Sequence, residues 1–105
     1  MAKKVLIVDD SALVRKQLTE MIETLGFEID VAKNGQEAVD KAAQTQYNVI
    51  TMDINMPVMD GIEAVKHIMQ NSPTAILMIS SLTTEDASIT MDALDLGAID
   101  YIAKP

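Results

Sequence analysis

The sequence predicts an α/β domain: a doubly wound, mostly parallel β-sheet with helices on both faces. Two observations carry this expectation. Short, continuous apolar runs bounded by polar or turn residues recur along the chain, the pattern of strands buried on both faces. Between them lie stretches with apolar residues at helical spacing, and strands that alternate with helices are joined by right-handed crossovers into a parallel sheet.

The elements follow in order. Val5–Val8, "VLIV", is the first strand. Val14, Leu18, Met21, Ile22 and Leu25 then recur on one face of a helix, and Gly26 is its candidate C-cap. A shorter strand is expected near Ile29–Val31. Asn34-Gly35 reads as a turn with no chemistry attached, before a weaker helical stripe of Ala38, Val39, Ala42 and Ala43. "VITM", Val49–Met52, is the third strand. Asp60-Gly61 reads as a cap and turn, Pro57 as loop geometry, and Ile62, Val65, Ile68 and Met69 form the third helix. "AILMI", Ala75–Ile79, is the fourth strand. A helix over 84–96 follows, with Thr83 and Asp86 spaced as a capping box and Gly97 as its stop. Ile99–Ala103 is the last strand.

Composition narrows the class. At 105 residues the chain is of single-domain length, with no repeat or linker, and a chain of this size buries about 60–65% of its unfolded surface. Hydrophobic residues make up 49% of it but only 3% are aromatic, so the core must be aliphatic, and the eight methionines serve as packing. Met21, Met52, Met69, Met78 and Met91 fall at core-like positions. The net charge of −8 argues against direct binding of nucleic acid or an anionic membrane. There is no cysteine, no apolar run long enough to span a bilayer and no signal peptide, so the expected address is cytoplasmic.

In a parallel α/β sheet the ligand site lies beyond the carboxyl ends of the strands, where strand order reverses. The polar residues concentrate at those ends. The first strand runs into Asp9 and Asp10, the third into Asp53, the fourth into Ser80 and Ser81, and the fifth into Lys104. Adjacent carboxylates at the end of a buried strand repel one another and call for a cation. Oxygen ligands without nearby His or Cys suit a hard ion such as Mg²⁺, and a lysine adds a mobile point charge. A metal, a hydroxyl and an ammonium around a nucleophilic carboxylate form a phosphoryl-transfer arrangement that would yield an aspartyl phosphate.

"VLIVDDS", "MDINMPVMDG", "ILMISS" and "DYIAKP", in this order and spacing, resemble the receiver domain of bacterial two-component response regulators. The likeness covers nearly the whole chain and implies the flavodoxin-like strand order 2-1-3-4-5. It implies that Asp53 is the phospho-acceptor and that Asp9 and Asp10 hold Mg²⁺ with it, helped by the backbone carbonyl of Asn55. By the same likeness Ser80 hydrogen-bonds the phosphoryl group, Lys104 pairs with it, and Tyr101 is a switch aromatic, although on its own it reads equally as packing on the last strand. The implied partners are a histidine kinase and an effector domain or target protein. "MISSLT" and "ITMDALDLGAIDYIAKP" look more like the receiver of a chemotaxis protein-glutamate methylesterase than a stand-alone flagellar-motor regulator.

Two departures from the family pattern carry expectations of their own. The family continues into a fifth helix that this chain, ending at Pro105, lacks. Residues 1–105 are therefore expected to be a receiver truncated after strand five, with a bare sheet face that invites self-association. Leu82 stands where many relatives have a polar residue, which predicts slow loss of the phosphate. The chain has no G-x-S-x-G motif, so no methylesterase chemistry is expected here, and the only histidine, His67, is read as a solvated side chain off the apolar stripe. Three rival readings remain: a stand-alone chemotaxis regulator, a scaffold that cannot be phosphorylated, and an aspartyl-phosphate hydrolase. The last would need a general acid two residues after its nucleophile, where this chain has Asn55.

Overall fold

In a computed structural model, which describes residues 3–54, 56–80 and 84–103, strands and helices alternate throughout. The chain runs β1 (Lys4–Val8), α1 (Ala12–Glu23), β2 (Glu28–Ala32), α2 (Gly35–Gln44), β3 (Val49–Asp53), α3 (Gly61–Asn71), β4 (Ala75–Ser80), α4 (Thr84–Asp95) and β5 (Asp100–Ala103). All strand pairs are parallel and the sheet order is β2-β1-β3-β4-β5, as expected from the sequence.

Side-chain alternation along β1 divides the core in two. Val5 and Ile7 point to the face covered by α1, where Leu18 is buried and Val14, Ile22, Phe27, Ile29 and Val49 pack around them. Leu6 and Val8 point to the opposite face. There they join Ala38 and Ala42 of α2, Ala64, Val65 and Ile68 of α3, and Ala93 of α4 over Ile50, Met52, Ile76 and Met78. Each large aliphatic side chain fully withdrawn from water contributes about 1.5–3 kcal/mol, which makes this larger cluster the main stabiliser of the domain.

The helix ends are set locally. Ser11 caps α1, Asn34 caps α2 and Asp60 caps α3, each side chain accepting a hydrogen bond from a first-turn N–H. Asn34-Gly35, read from the sequence as a plain turn, is therefore the cap and first residue of a helix. Gly26 stops the first helix region at φ +88°, and Gly97 follows α4 at φ +120°, both conformations that favour glycine. Lys41 donates from its ammonium to the Val31 carbonyl, which blunts the exposed β2 edge.

Three expectations need correction. Met21 and Leu25 are 60% and 71% exposed, because α1 turns only Val14, Leu18 and Ile22 toward β1. Met91 of α4 is likewise 57% exposed, whereas Met52 and Met78 are buried. β5 is not a buried strand: all four of its residues are exposed, since it forms the sheet edge beyond the reach of α1. The expected cap at Thr83 lies outside the described residues, as do Leu82, Ser81 and Pro105. His67 is half-exposed with Nε2 3.4 Å from Glu63 Oε1, the solvated side chain its position implied.

Candidate phosphoryl-transfer site

β1 and β3 are neighbours, yet α1 leaves β1 toward β2 on one side and α3 leaves β3 toward β4 on the other. This reversal opens a crevice at their carboxyl ends. Val8 is in register with Met52, so one step further along each strand brings Asp9 and Asp53 side by side. Asp9, Asp10 and Asp53 each place a carboxylate oxygen within 4.8 Å of the other two. Asp9 and Asp53 are buried and Asp10 lies exposed at the rim.

The turn between β1 and α1 is built to hold that geometry. Asp9 N–H donates to the Ala32 carbonyl of β2 at 3.1 Å, tying the end of β1 to its neighbour. The Asp9 Oδ1 accepts from Ser11 N–H at 2.9 Å, a local turn typical of aspartate. Ser11 Oγ accepts from Val14 N–H at 3.3 Å, so the residue that orients Asp9 also caps α1. The cap of α1 is thus Ser11, and neither Asp9 nor Asp10 takes that position. One turn on, Arg15 Nη1 donates to the Asp9 carbonyl at 2.8 Å and fixes the same peptide from the helix side. Ser11 and Arg15 were not singled out from the sequence, because hydrogen bonds to a neighbouring backbone leave no periodic signal.

On the other wall, β3 passes into α3 through a tight approach. Gly61 N–H donates to the Ile54 carbonyl at 2.8 Å, and a Cβ at position 61 would collide with the Asp53 carbonyl oxygen. The Asp60-Gly61 pair is therefore a cap followed by a close backbone contact directly behind the third carboxylate.

Two like charges 4.8 Å apart repel by about 3.5 kcal/mol at an effective dielectric near 20, and a cation held by the cluster would offset that repulsion. Its donors are carboxylate oxygens, and no His or Cys joins them among the described residues. That donor set fits a hard divalent ion. Of the other expected site residues, Ser80 ends β4, beside β3 in the sheet. Tyr101 stands on β5 and is 44% exposed. Asn55 and Lys104 lie outside the described residues.

The response regulator receiver domain model matches residues 5–105. The chain belongs to that family. It is 58% identical over 106 residues to a protein-glutamate methylesterase/protein-glutamine glutaminase from Vibrio cholerae, covering 99% of this chain and 28% of that protein. A protein of the same description from Archaeoglobus fulgidus is 53% identical, over 97% of this chain and 30% of its own length. This receiver thus spans less than a third of the curated relatives it matches. Among solved structures, the response regulator domain of Thermotoga maritima CheB superposes with a TM-score of 0.91 at 48% identity, over 100% of this chain and 80% of that one. The CheY chain of a CheX-CheY-BeF3-Mg²⁺ complex from Borrelia burgdorferi superposes with a TM-score of 0.89 at 41% identity, over 98% and 78%. The likeness to methylesterase receivers expected from "MISSLT" and the last seventeen residues is borne out. No helix among the described residues is long and apolar enough to cross a membrane.

Proposed function

We propose that this receiver takes a phosphoryl group from a histidine kinase onto Asp53 and passes the signal to an effector in chemotaxis. The observation that carries the reading is the convergence of Asp9, Asp10 and Asp53 at the carboxyl ends of β1 and β3. Asp53 is the nucleophile: its carboxylate forms a P–O bond as the N–P bond of phosphohistidine breaks, and the leaving imidazole takes up a proton. Asp9, Asp10, Asp53 and the backbone carbonyl of Asn55 would hold Mg²⁺, which would supply positive charge against the transferring oxygens. Asp9 is kept in position by Ser11 and Arg15, so one carboxylate of the cluster is preset rather than mobile.

In this reading the Ser80 hydroxyl donates a hydrogen bond to the phosphoryl group and Lys104 pairs with it. Their movement, with Tyr101, biases the face made by α4 and β5 between two arrangements. The effector is a methylesterase, as the relatives' descriptions suggest, and the site of action is the cytoplasm. Residues 1–105 then act as the control domain alone, performing no turnover of an external substrate. The expected self-association would use the face beside α1, where Met21 and Leu25 are exposed.

The test is the intact mass of the chain after acetyl phosphate treatment, with and without Mg²⁺, beside Asp53→Asn. Gain of one phosphoryl group that requires both Mg²⁺ and Asp53 is the expected outcome. No gain in a chain that circular dichroism shows to be folded would overturn the reading.

A further inference from the structure

The loop from Ile54 to Asp60 leads from the last carboxylate to α3 and includes residue 55. It turns tightly. Val58 sits at φ +70° and is 83% exposed, while Met59 N–H donates back to the Pro57 carbonyl at 2.8 Å. A three-residue turn with a β-branched residue at positive φ is strained, and it persists only where its surroundings hold it. At the α3 end, the Gly61 N–H bond to Ile54 closes the loop. Nearer the turn, the hold comes from another element altogether: Gly35, the first residue of α2, donates its N–H to the Met59 carbonyl at 2.9 Å.

Gly35 is buried, and the approach leaves no room at its α-carbon. A Cβ there would collide with the Met59 carbonyl oxygen and lie 3.0 Å from that of Asp60. Both neighbours are backbone and cannot rotate aside. The first turn of α2 is itself firmly seated. Asn34 Oδ1 accepts from Glu37 N–H at 2.9 Å, Glu37 Oε1 accepts from Lys33 N–H at 3.1 Å, and Ala38 and Ala42 are buried in the main core.

We infer that Gly35 is a positioning residue for the divalent-cation site, acting through the Met59 carbonyl on the loop that follows Asp53. This rests on the reading of Asp9, Asp10 and Asp53 as that site. Gly35 belongs to a helix that contributes no ligand, and its role depends on the lack of a side chain. In an ordinary helix alanine is preferred to glycine, so Gly35→Ala would strengthen α2 were helix propensity the only effect. The close approach to Met59 reverses that expectation and ties the change to metal affinity.

The experiment compares Mg²⁺ binding by titration calorimetry in the wild type, Gly35→Ala, Gly26→Ala and Asp9→Asn, each checked for folding by circular dichroism. Gly26 stands at φ +88° with nothing within 4 Å of an added Cβ, so alanine there strains the fold away from the acidic cluster. Gly26→Ala is expected to melt at lower temperature and to bind Mg²⁺ like the wild type. Gly35→Ala is expected to bind about tenfold more weakly while folded, the size of effect seen when support around a metal site is lost. Equal affinity in Gly35→Ala and the wild type would overturn the inference and leave the cation site standing. A wild type that takes up no Mg²⁺, or an Asp9→Asn variant that binds as well as the wild type, would overturn the site reading and the inference with it. Should Gly35→Ala not fold, Asn34→Ala loosens the same helical turn without a clash, and it is expected to bind about threefold more weakly through loss of the cap. Unchanged affinity in that variant would overturn the inference equally.

Discussion

Gly61→Ala perturbs the wall behind Asp53 with a single methyl group. Gly61 is buried at the start of α3, and the added Cβ would overlap the Asp53 carbonyl oxygen while lying 3.0 Å from the Asp53 carbonyl carbon and 3.1 Å from the Ile54 α-carbon. All three are backbone atoms at the end of a central strand, so the strain cannot be relieved by a change of rotamer. Overpacking of this kind costs about 1–3 kcal/mol. Weakening the 2.8 Å bond from Gly61 N–H to the Ile54 carbonyl adds about 1 kcal/mol. The better helix propensity of alanine returns at most about 1 kcal/mol. The net loss is about 2 kcal/mol, which for a domain of this size lowers the melting temperature by roughly 10 °C. Thermal unfolding followed by far-ultraviolet circular dichroism measures it directly. The same variant is expected to gain phosphate from acetyl phosphate more slowly, because relief of the clash moves the peptide that carries Asp53. A variant that melts within about 2 °C of the wild type would refute the close contact on which the estimate stands.

Asp10→Asn removes one of three converging charges while sparing the buried pair. The metal-free variant is expected to melt above the wild type, and the stabilisation by Mg²⁺, about 2.7 kcal/mol at a hundredfold excess over Kd, to be largely lost. Full retention of that stabilisation would remove Asp10 from the metal site. Tyr47 is buried and its hydroxyl donates to Asp30 Oδ2 at 2.7 Å. Burial first, then that bond and the Asp30 charge, push its pKa from 10.0 up to about 12. The neutral phenol is thus favoured in the folded state. Its stabilisation is present in full below pH 10 and is lost as pH rises toward 12. Urea titrations at several pH values should show this loss in the wild type and not in Tyr47→Phe, which instead is weaker by about 1 kcal/mol at neutral pH. Parallel pH profiles in the two proteins would contradict the assignment.

Much of this architecture can be read from local pattern. "VLIV" and "VITM" are continuous apolar runs because β1 and β3 are covered on both faces, and the acids follow them because the strands end at a solvent-facing crevice. β5 defeats the same reasoning. Tyr101, Ile102 and Ala103 read as a strand, but local pattern does not carry the strand's place at the sheet edge, which leaves it exposed. Met21 fails for a related reason: helical spacing defines a stripe, while the width of that stripe in use depends on what α1 packs against. Asn34-Gly35 has the chemistry of a turn and of a helix cap alike, and its contact with Met59 is invisible until α2 and the loop after β3 are brought together.

The sequence by itself determined the alternation of strands and helices and the placing of Asp9, Asp10 and Asp53 at strand ends, because both depend on the spacing of neighbours along the chain. The order that puts β1 beside β3 was implied by the resemblance; tertiary structure decided the register that sets Asp9 next to Asp53. It decided also that Ser11 and Arg15 hold the first carboxylate and that two glycines admit the loop behind the last one. Those are contacts between backbone segments, and residue types record them only as the absence of a side chain where none would fit.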